Sequence, residues 1–215
     1  MKMIKENKFI VVITSLVTIL PMIIGLVLWN QLPDVLATHF DSNNVANGWS
    51  SKAFAVFGLP GILLLLHLVC IIVTSYDPKF GNISGKMRMM IFWIIPGCSL
   101  ICAVAIYTSA LNIGFNSAGM AGIVCGILFM IIGNYLPKCK QNYTVGIKLP
   151  WTLDDEENWN STHRFSGKVW VICGIVMFAA TFLTEYATYI TFGVVAAAVL
   201  IPAVYSFVYY KRHNG

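Results

Sequence analysis

Apolar runs of about twenty residues alternate with polar segments along the chain, and a run of this length spans a bilayer core as an α-helix. The runs predict six transmembrane helices, at residues 9–29, 53–74, 89–111, 120–136, 165–184 and 188–210. The fifth run is the weakest, because its purely apolar part must be lengthened by Phe165 and Lys168. The pattern therefore predicts an all-α fold, a polytopic integral membrane protein.

We interpret residues 1–215 as a single membrane domain with three parts. Residues 9–136 hold the first four helices and a long loop at 30–52, residues 137–168 form a polar segment, and residues 165–210 hold the last two helices. Hydrophobic residues make up 58% of the chain and charged residues 11%, against about 25% charged residues in soluble domains. The composition thus excludes an ordinary soluble domain.

The distribution of Lys and Arg predicts the orientation, because cytoplasmic segments are enriched in both. The N-terminal segment, the second loop, residues 137–168 and the C-terminus hold three, three, five and two of them. The first loop holds one, and the other two loops hold none. Both termini and residues 137–168 are therefore predicted to be cytoplasmic, with residues 30–52 extracellular. The net charge of +5 follows from this topology, and no basic stretch has the interleaved aromatic residues that a nucleic-acid surface needs.

The polar stretch at residues 133–168 reads GNYLPKCKQNYTVGIKLPWTLDDEENWNSTHRFSGK and carries signals for a helix start. Pro150 fixes a backbone angle, and Thr152 with Asp155 three residues later is typical of a capping box with Thr152 as the N-cap. These signals predict a helix that begins near Leu153 and runs toward Phe165.

In the connection before this helix, we expect Gly146 to permit a tight turn. Asn142 and Lys148 either cap helix ends or bind a lipid phosphate. Along the helix, 3.6 residues per turn produce two stripes. The first comprises Asp155, Trp159, Thr162, His163, Ser166 and Trp170, and the second comprises Glu157, Ser161, Arg164 and Lys168. Either the helix lies at the membrane interface with Trp159 toward lipid, or the first stripe faces other helices and closes the mouth of the bundle.

The motif GNYLPKxKxNYTVGIKLPWTL, followed by Trp159 and by TH-R-F-x-G-K, resembles the signature of the SdpI family of bacterial membrane immunity proteins. Residues 32–52, LPDVLATHFDSNNVANGWSSK, resemble the N-terminal domain of unknown function that accompanies this signature. The resemblance implies a multi-pass protein of the bacterial cell membrane that protects the cell against a secreted antimicrobial toxin peptide. It also implies sensing of the toxin and sequestration of a small transcriptional repressor at the membrane.

The resemblance further implies two sets of site residues. The signature residues expected to form a functional surface are Asn142, Gly146, Lys148, Pro150, Trp151, Thr152, Trp159, Thr162, His163, Phe165 and Gly167. The loop residues expected to face the toxin are Pro33, His39, Phe40, Gly48 and Lys52. The expected partners are the lipid bilayer, the toxin peptide and a repressor, without direct nucleic-acid binding.

Enzymatic chemistry finds little support, since the sequence has no G-x-S-x-G, H-E-x-x-H or P-loop motif. The outer loop lacks the acidic residue that would complete a calcium site after Asp41, and it has one His and no Cys for zinc. The six cysteines form no Cys-x-x-Cys pair, which favours a packing role. We therefore expect no enzyme, no cofactor and no metal.

An alternative function is a small-molecule or peptide transporter or exporter. Leu32-Pro33 is followed by Ser51-Lys52 and then by a span, and Leu149-Pro150 is followed at a similar distance by Gly167-Lys168 and then by a span. This similarity between the two halves of the chain is the pattern of a weak inverted repeat. His67 within the second span is either a hydrogen-bonded structural residue or part of a functional site.

Overall fold

The computed structural model describes residues 2–41, 43–114, 117–183 and 186–214. Its helices are α1 Lys2–Glu6, α2 Lys8–Val27, α3 Leu59–Ser75, α4 Gly85–Ala110, α5 Ser117–Tyr135, α6 Pro150–Asp154, α7 Glu156–Leu183 and α8 Ala187–Asn214. Strands β1 Val35–Phe40 and β2 Ala46–Ser51 form an antiparallel hairpin. A π-helical turn at Phe54–Gly58 leads into α3, and 3₁₀ turns lie at Phe80–Asn82 and Leu136–Lys138.

Six stretches of helix in the described residues are long and apolar enough to cross a membrane. They are Lys8–Val27, Phe54–Ser75, Gly85–Ala110, Gly119–Lys138, Glu156–Phe182 and Ala187–His213. Each overlaps one predicted span, so the predicted all-α, polytopic membrane fold is confirmed; the predicted end of the fifth span at Thr184 lies outside the described residues. Only a helix that satisfies its own backbone hydrogen bonds can cross hydrocarbon in this way.

The chain divides into two compact units. The first comprises Met1–Tyr76 and Arg88–Ala118, and contains the hairpin with α2, α3 and most of α4. The second comprises Asp77–Met87 and Gly119–Gly215, and contains the polar signature segment with α5 to α8.

Residues 30–52 contain a β-hairpin, a local departure from the predicted all-α structure. Asp41 Oδ1 accepts the backbone N–H groups of Asn43 and Val45, both at 2.9 Å, and Asn44 adopts a left-handed φ of 61° in the turn. An isolated hairpin is marginally stable in water. Here Leu36 is buried in an apolar cluster that includes Val56 and other residues of the helix ends, which anchors the hairpin.

Hydrogen bonds inside the first unit join α2 to α3 and α4. His67 Nε2 lies 2.9 Å from Thr14 Oγ1, Ser99 donates to the carbonyl of Thr18 at 2.8 Å, and Tyr107 donates to the carbonyl of Pro21 at 2.8 Å. Such bonds between transmembrane helices each contribute about 0.6–2 kcal/mol. His67 thus has a hydrogen-bond partner on a neighbouring helix, as expected for a structural residue.

Glycines let α5 and α7 approach closely in the second unit. A Cβ on Gly126 would lie 2.9 Å from the carbonyl oxygen of Gly174, and a Cβ on Gly133 would lie 2.9 Å from that of Gly167. Helix association in membranes relies on such small residues, because no hydrophobic effect drives it there. Gly167 is therefore a buried packing residue in contact with α5.

Pro202 interrupts the backbone hydrogen bonding of α8, and Trp170 compensates for it. Proline lacks an N–H, so the carbonyl of Ala198, four residues earlier, loses its usual donor. Trp170 Nε1 donates to that carbonyl at 3.0 Å, while its ring stacks on Phe129 with centroids 4.7 Å apart. The end of the first stripe is thereby attached to α5 and α8.

The predicted helix start near Leu153 is wrong, as is the assignment of Thr152 as N-cap. Helix α6 begins at Pro150, with Leu149 as its N-cap, so Thr152 is the third helical residue. The extended backbone of Asp155 ends α6, and Asp155 Oδ1 accepts the N–H of Glu157 at 2.8 Å, which caps α7. Helix α7 then continues through the fifth span to Leu183 instead of ending near Phe165.

Candidate functional site

Two aromatic rings of α7 hold the preceding loop, residues 139–149, from inside. Trp159 and His163 lie four residues apart, so their rings stack, with centroids 4.1 Å apart. Trp159 Nε1 donates to the carbonyl of Cys139 at 2.7 Å, and His163 Nε2 accepts the N–H of Ile147 at 3.0 Å. His163 Nδ1 lies 2.8 Å from the carbonyl of Trp159, so it carries the proton of a neutral ring.

Gly146 is the point where the loop passes over these rings. Its φ is +123°, which side-chain-bearing residues rarely adopt. A Cβ would lie 2.5 Å from His163 Nε2 and 2.9 Å from the Trp159 ring. The predicted tight turn at Gly146 is confirmed, and the close approach is a second reason for glycine.

Asn142 organises the turn of the loop from a fully buried position. Its Oδ1 accepts the N–H groups of Thr144 at 3.0 Å and Val145 at 2.7 Å, and its Nδ2 donates to the carbonyl of Lys140 at 2.9 Å. Such local bonds are typical of asparagine in turns. Both predicted roles, helix capping and binding of a lipid phosphate, are therefore wrong for Asn142.

Lys148 remains at the surface and completes the same turn. Its Nζ donates to the carbonyls of Tyr143 at 3.2 Å and Thr144 at 3.1 Å. These carbonyls lie in the loop, so the predicted cap of a helix end is wrong for Lys148 also. Nearby, burial raises the pKa of the Cys139 thiol to about 11, although a hydrogen bond from Asn142 opposes the shift. Cys139 is therefore neutral near pH 7 and unsuited to nucleophilic chemistry.

Asp77 is a site residue that the sequence analysis missed. It follows α3 and is buried, with Oδ1 accepting the N–H of Lys79 at 2.8 Å. Its Oδ2 accepts the N–H of Tyr143 at 2.9 Å and the hydroxyl of Thr144 at 2.6 Å. One carboxylate thus attaches the turn after α3 to a loop 66 residues later. The available signal was a lone acidic residue in a short, otherwise basic loop.

Gln141 is the second residue missed, and it connects the same turn to α6. Its Nε2 donates to the carbonyls of Thr152 at 3.0 Å and Leu153 at 2.8 Å. Its Oε1 accepts Lys79 Nζ, and its backbone carbonyl accepts Asn82 Nδ2 at 2.7 Å. Thr152 Oγ1 in turn accepts the N–H of Leu149 at 2.9 Å.

Helix α8 closes the other side of the site through Ser206. Trp151 Nε1 donates to Ser206 Oγ at 3.0 Å, and Asn158 Nδ2 donates to the Ser206 carbonyl at 3.1 Å. The Thr162 hydroxyl donates to Asn158 Oδ1 at 2.9 Å, which orients that amide. Phe165 stacks on Tyr205 of α8, with ring centroids 4.2 Å apart.

These contacts decide between the two interpretations of the first stripe. Trp159, Thr162, His163 and Ser166 are all buried, while Glu157, Arg164 and Lys168 of the second stripe are exposed. Placement of Trp159 toward lipid is therefore wrong. The stripe faces protein, as the other interpretation required, but Trp159 and His163 pack on the loop instead of on another helix.

Most of the eleven signature residues therefore do not lie at the protein surface. Asn142, Thr152, Trp159, Thr162, His163 and Gly167 are buried, and Gly146, Trp151 and Phe165 are half-buried. Only Lys148 and Pro150 of the eleven residues are exposed, and Lys140 and Tyr143 of the loop join them at the surface. The buried residues thus hold the loop from inside, and its exposed side chains lie on its outer side.

The loop residues expected to face the toxin lie on the hairpin of the first unit. His39 Nδ1 lies 2.5 Å from Asn47 Oδ1, and Lys52 Nζ lies 3.3 Å from Asp34 Oδ1. A Cβ on Gly48 would lie 2.9 Å from the His39 Cβ, which explains the glycine between strands. Pro33 precedes β1, and Phe40 ends it. In the described residues, no group of three His, Cys, Asp or Glu could hold a metal ion.

Two protein-family models match this chain, one in each of its two compact units. The model of the SdpI/YfhL protein family matches residues 138–206, and that of a domain of unknown function (DUF1648) matches residues 16–64. The chain is 27% identical over 209 residues to the "Immunity protein SdpI" of Bacillus subtilis (strain 168), covering 95% of this chain and 97% of that protein. No solved structure matches it. The chain is thus a multi-pass bacterial membrane protein that is similar to the SdpI family, whose model matches residues 138–206.

Proposed function

We propose that this protein is a membrane immunity protein that protects the cell against a secreted toxin peptide. The main support for this proposal is the similarity to an immunity protein over 95% of the chain. The family match at residues 138–206 supports this proposal, because the matched residues include the loop at residues 139–149, α7 and most of α8. The protein acts without catalysis or a cofactor, by presenting a rigid site held at the membrane.

Deletion of the gene from its native host tests this function. The deletion strain should be inhibited by conditioned medium of its parent, and protease treatment of the medium should remove the inhibition. A plasmid copy of the full chain should restore growth. A deletion strain that grows like its parent, both in that medium and in mixed culture, would refute the immunity function.

We place both termini and residues 137–168 in the cytoplasm and residues 30–52 outside. The proposal rests on thirteen of fourteen Lys and Arg residues lying in alternate segments. Single cysteines at Asn43 and Tyr143, in a cysteine-free background, should react with a membrane-impermeant maleimide from outside and inside respectively. The reverse labelling pattern would overturn the orientation.

We assign repressor sequestration to the outer side of the loop, where Lys140, Tyr143 and Lys148 are exposed. Lys140→Ala combined with Tyr143→Ala removes two exposed side chains but keeps the bonds from Lys148 to the loop carbonyls, so immunity should persist. Transcription of a small set of host genes should change, because the repressor is released. A transcriptome equal to that of the wild type would contradict this role, whatever the survival assay shows.

A further inference from the structure

An open groove of about 510 Å³ lies between the hairpin and the C-terminal end of α4 in the first unit. Its lining includes Val35, Ala37 and Trp49 from the hairpin, and Gln31, Ser109 and Asn112 around them. The volume falls in the range of about 300–1,000 Å³ that is usual for ligand sites in proteins.

The residues that line the groove favour an uncharged ligand. None of the residues that line the groove carries a charge. Asp34, next in sequence to Pro33 and Val35, is paired with Lys52 at 3.3 Å. Burial of an unpaired charge is costly, so a charged group would not enter this groove.

The lining also combines apolar anchors with hydrogen-bonding groups. Trp49 is 60% exposed and Val35 is 56% exposed, although both lie on ordered strands. The amides of Gln31 and Asn112 and the hydroxyl of Ser109 lie in the same lining. A lipid acyl chain would use only the apolar part, whereas a peptide offers apolar side chains together with backbone donors and acceptors.

The shape of one wall favours an extended peptide. Val35, Leu36 and Ala37 are consecutive residues of β1, and all three line the groove together with Ala46 and Trp49 of β2. Strand β1 pairs with β2 on one edge, and no third strand joins this sheet in the described ranges. Extended peptides commonly add to such a strand edge, with backbone hydrogen bonds for affinity and side-chain pockets for specificity.

We propose that this groove binds an extended, uncharged segment of the toxin peptide, a proposal that rests on the immunity function above. Trp49 anchors the peptide's apolar side chains, and Gln31 and Asn112 bind its backbone. The hairpin is therefore the recognition element of the protein, and the signature site is separate from it in sequence.

Photocrosslinking in the native host tests the groove directly. The photoreactive residue p-benzoylphenylalanine replaces Trp49 in one variant and Asn43, which is exposed but outside the lining, in a matched control. Cells receive conditioned medium of the parent strain as the probe, and mass spectrometry identifies the adducts. A peptide adduct at Trp49 and none at Asn43, joined through a stretch without Lys, Arg, Asp or Glu, is expected. No adduct, a lipid adduct or a charged stretch would overturn the proposal.

A second pair of variants measures the consequence for survival. Ala37→Glu places a charge in the lining, whereas Asn43→Glu places one at the exposed tip. The first should lower the tolerated concentration of medium about tenfold or more, since a tenfold loss of affinity needs only about 1.4 kcal/mol. The second should behave like the wild type, at equal membrane levels. Equal survival of both variants would refute the groove.

The two proposals fail in different ways. If the deletion strain tolerates the medium, the immunity function fails, while an adduct at Trp49 still supports peptide binding in the groove. If the wild type protects but Trp49 yields no peptide adduct, the groove proposal fails alone.

Discussion

Gly146→Ala should destabilise the loop at residues 139–149 without affecting insertion of the spans. At a φ of +123°, an alanine costs about 1–3 kcal/mol in backbone strain. Its Cβ would also lie 2.5 Å from His163 Nε2, so the ring must move away from the N–H of Ile147. The partly buried N–H of Ile147 would then lack its acceptor, at a cost of up to about 3 kcal/mol more. The expected loss is therefore about 1–6 kcal/mol for this loop.

Limited proteolysis of inverted membrane vesicles measures this loss. Cleavage of a folded segment follows the population of its opened form when opening is fast, so 2 kcal/mol corresponds to about thirtyfold faster cleavage. Gly193→Ala in α8 is the control, because a Cβ there meets nothing within 4 Å. Equal cleavage rates within residues 139–149 in Gly146→Ala and wild-type vesicles would refute the reasoning.

Three further variants test other contacts of the second unit. Gly174→Leu should separate α5 from α7 and lower the thermal stability in detergent, because a Cβ at this position would lie 2.6 Å from the Gly126 carbonyl oxygen. Unchanged stability would contradict that packing. Trp170→Phe keeps an aromatic ring but leaves the Ala198 carbonyl without its side-chain donor. It should lower the free energy of unfolding by about 1–3 kcal/mol in the same thermal unfolding experiment. A variant as stable as the wild type would show that this hydrogen bond contributes nothing. Asp77→Asn turns one of the two acceptor oxygens into an amide donor, so the carboxamide cannot keep both the Lys79 bond and the bonds from Tyr143 and Thr144. The variant should expose residues 139–149 to protease, with Asp154→Asn on the exposed surface as the control. Equal protection in both would refute the Asp77 contacts.

The helix start in the signature segment shows where local sequence rules mislead. Thr152 and Asp155 have the spacing of a capping box, yet Pro150 occupies the first helical position and makes Leu149 the N-cap. Proline is favoured at that first position, so the signal for the correct boundary was present. Asp155 does cap a helix, but it is the next one, α7.

Prediction of buried polar contacts from one sequence was harder, because their partners are distant in the chain. Periodicity placed Trp159, Thr162 and His163 on one stripe, which the structure buries. It could not show that their partners are Cys139, Ile147 and Asn158, or that Asp77 completes the site. A stripe defines which side chains share a face, but not what covers that face.

The hairpin and the proposed inverted repeat illustrate the same limit. Residues 32–52 and 149–168 begin and end with similar residue pairs, yet the first contains two strands and the second contains α6 and the first part of α7. Short strands depend on packing for their stability, and Leu36 finds that packing only in the cluster at the helix ends. The local structures thus do not match between these segments.

The sequence by itself determined the number of spans and the class of the protein, because hydrocarbon accepts only long apolar helices with internally satisfied backbones. It also located the family signature and the turn at Gly146. Only the tertiary structure decided that most of the signature residues are buried, that Asp77 and Gln141 join them, and that the hairpin lines an open groove. The physical reason is that span formation depends on local composition, whereas burial and hydrogen-bond partners depend on which distant segments meet.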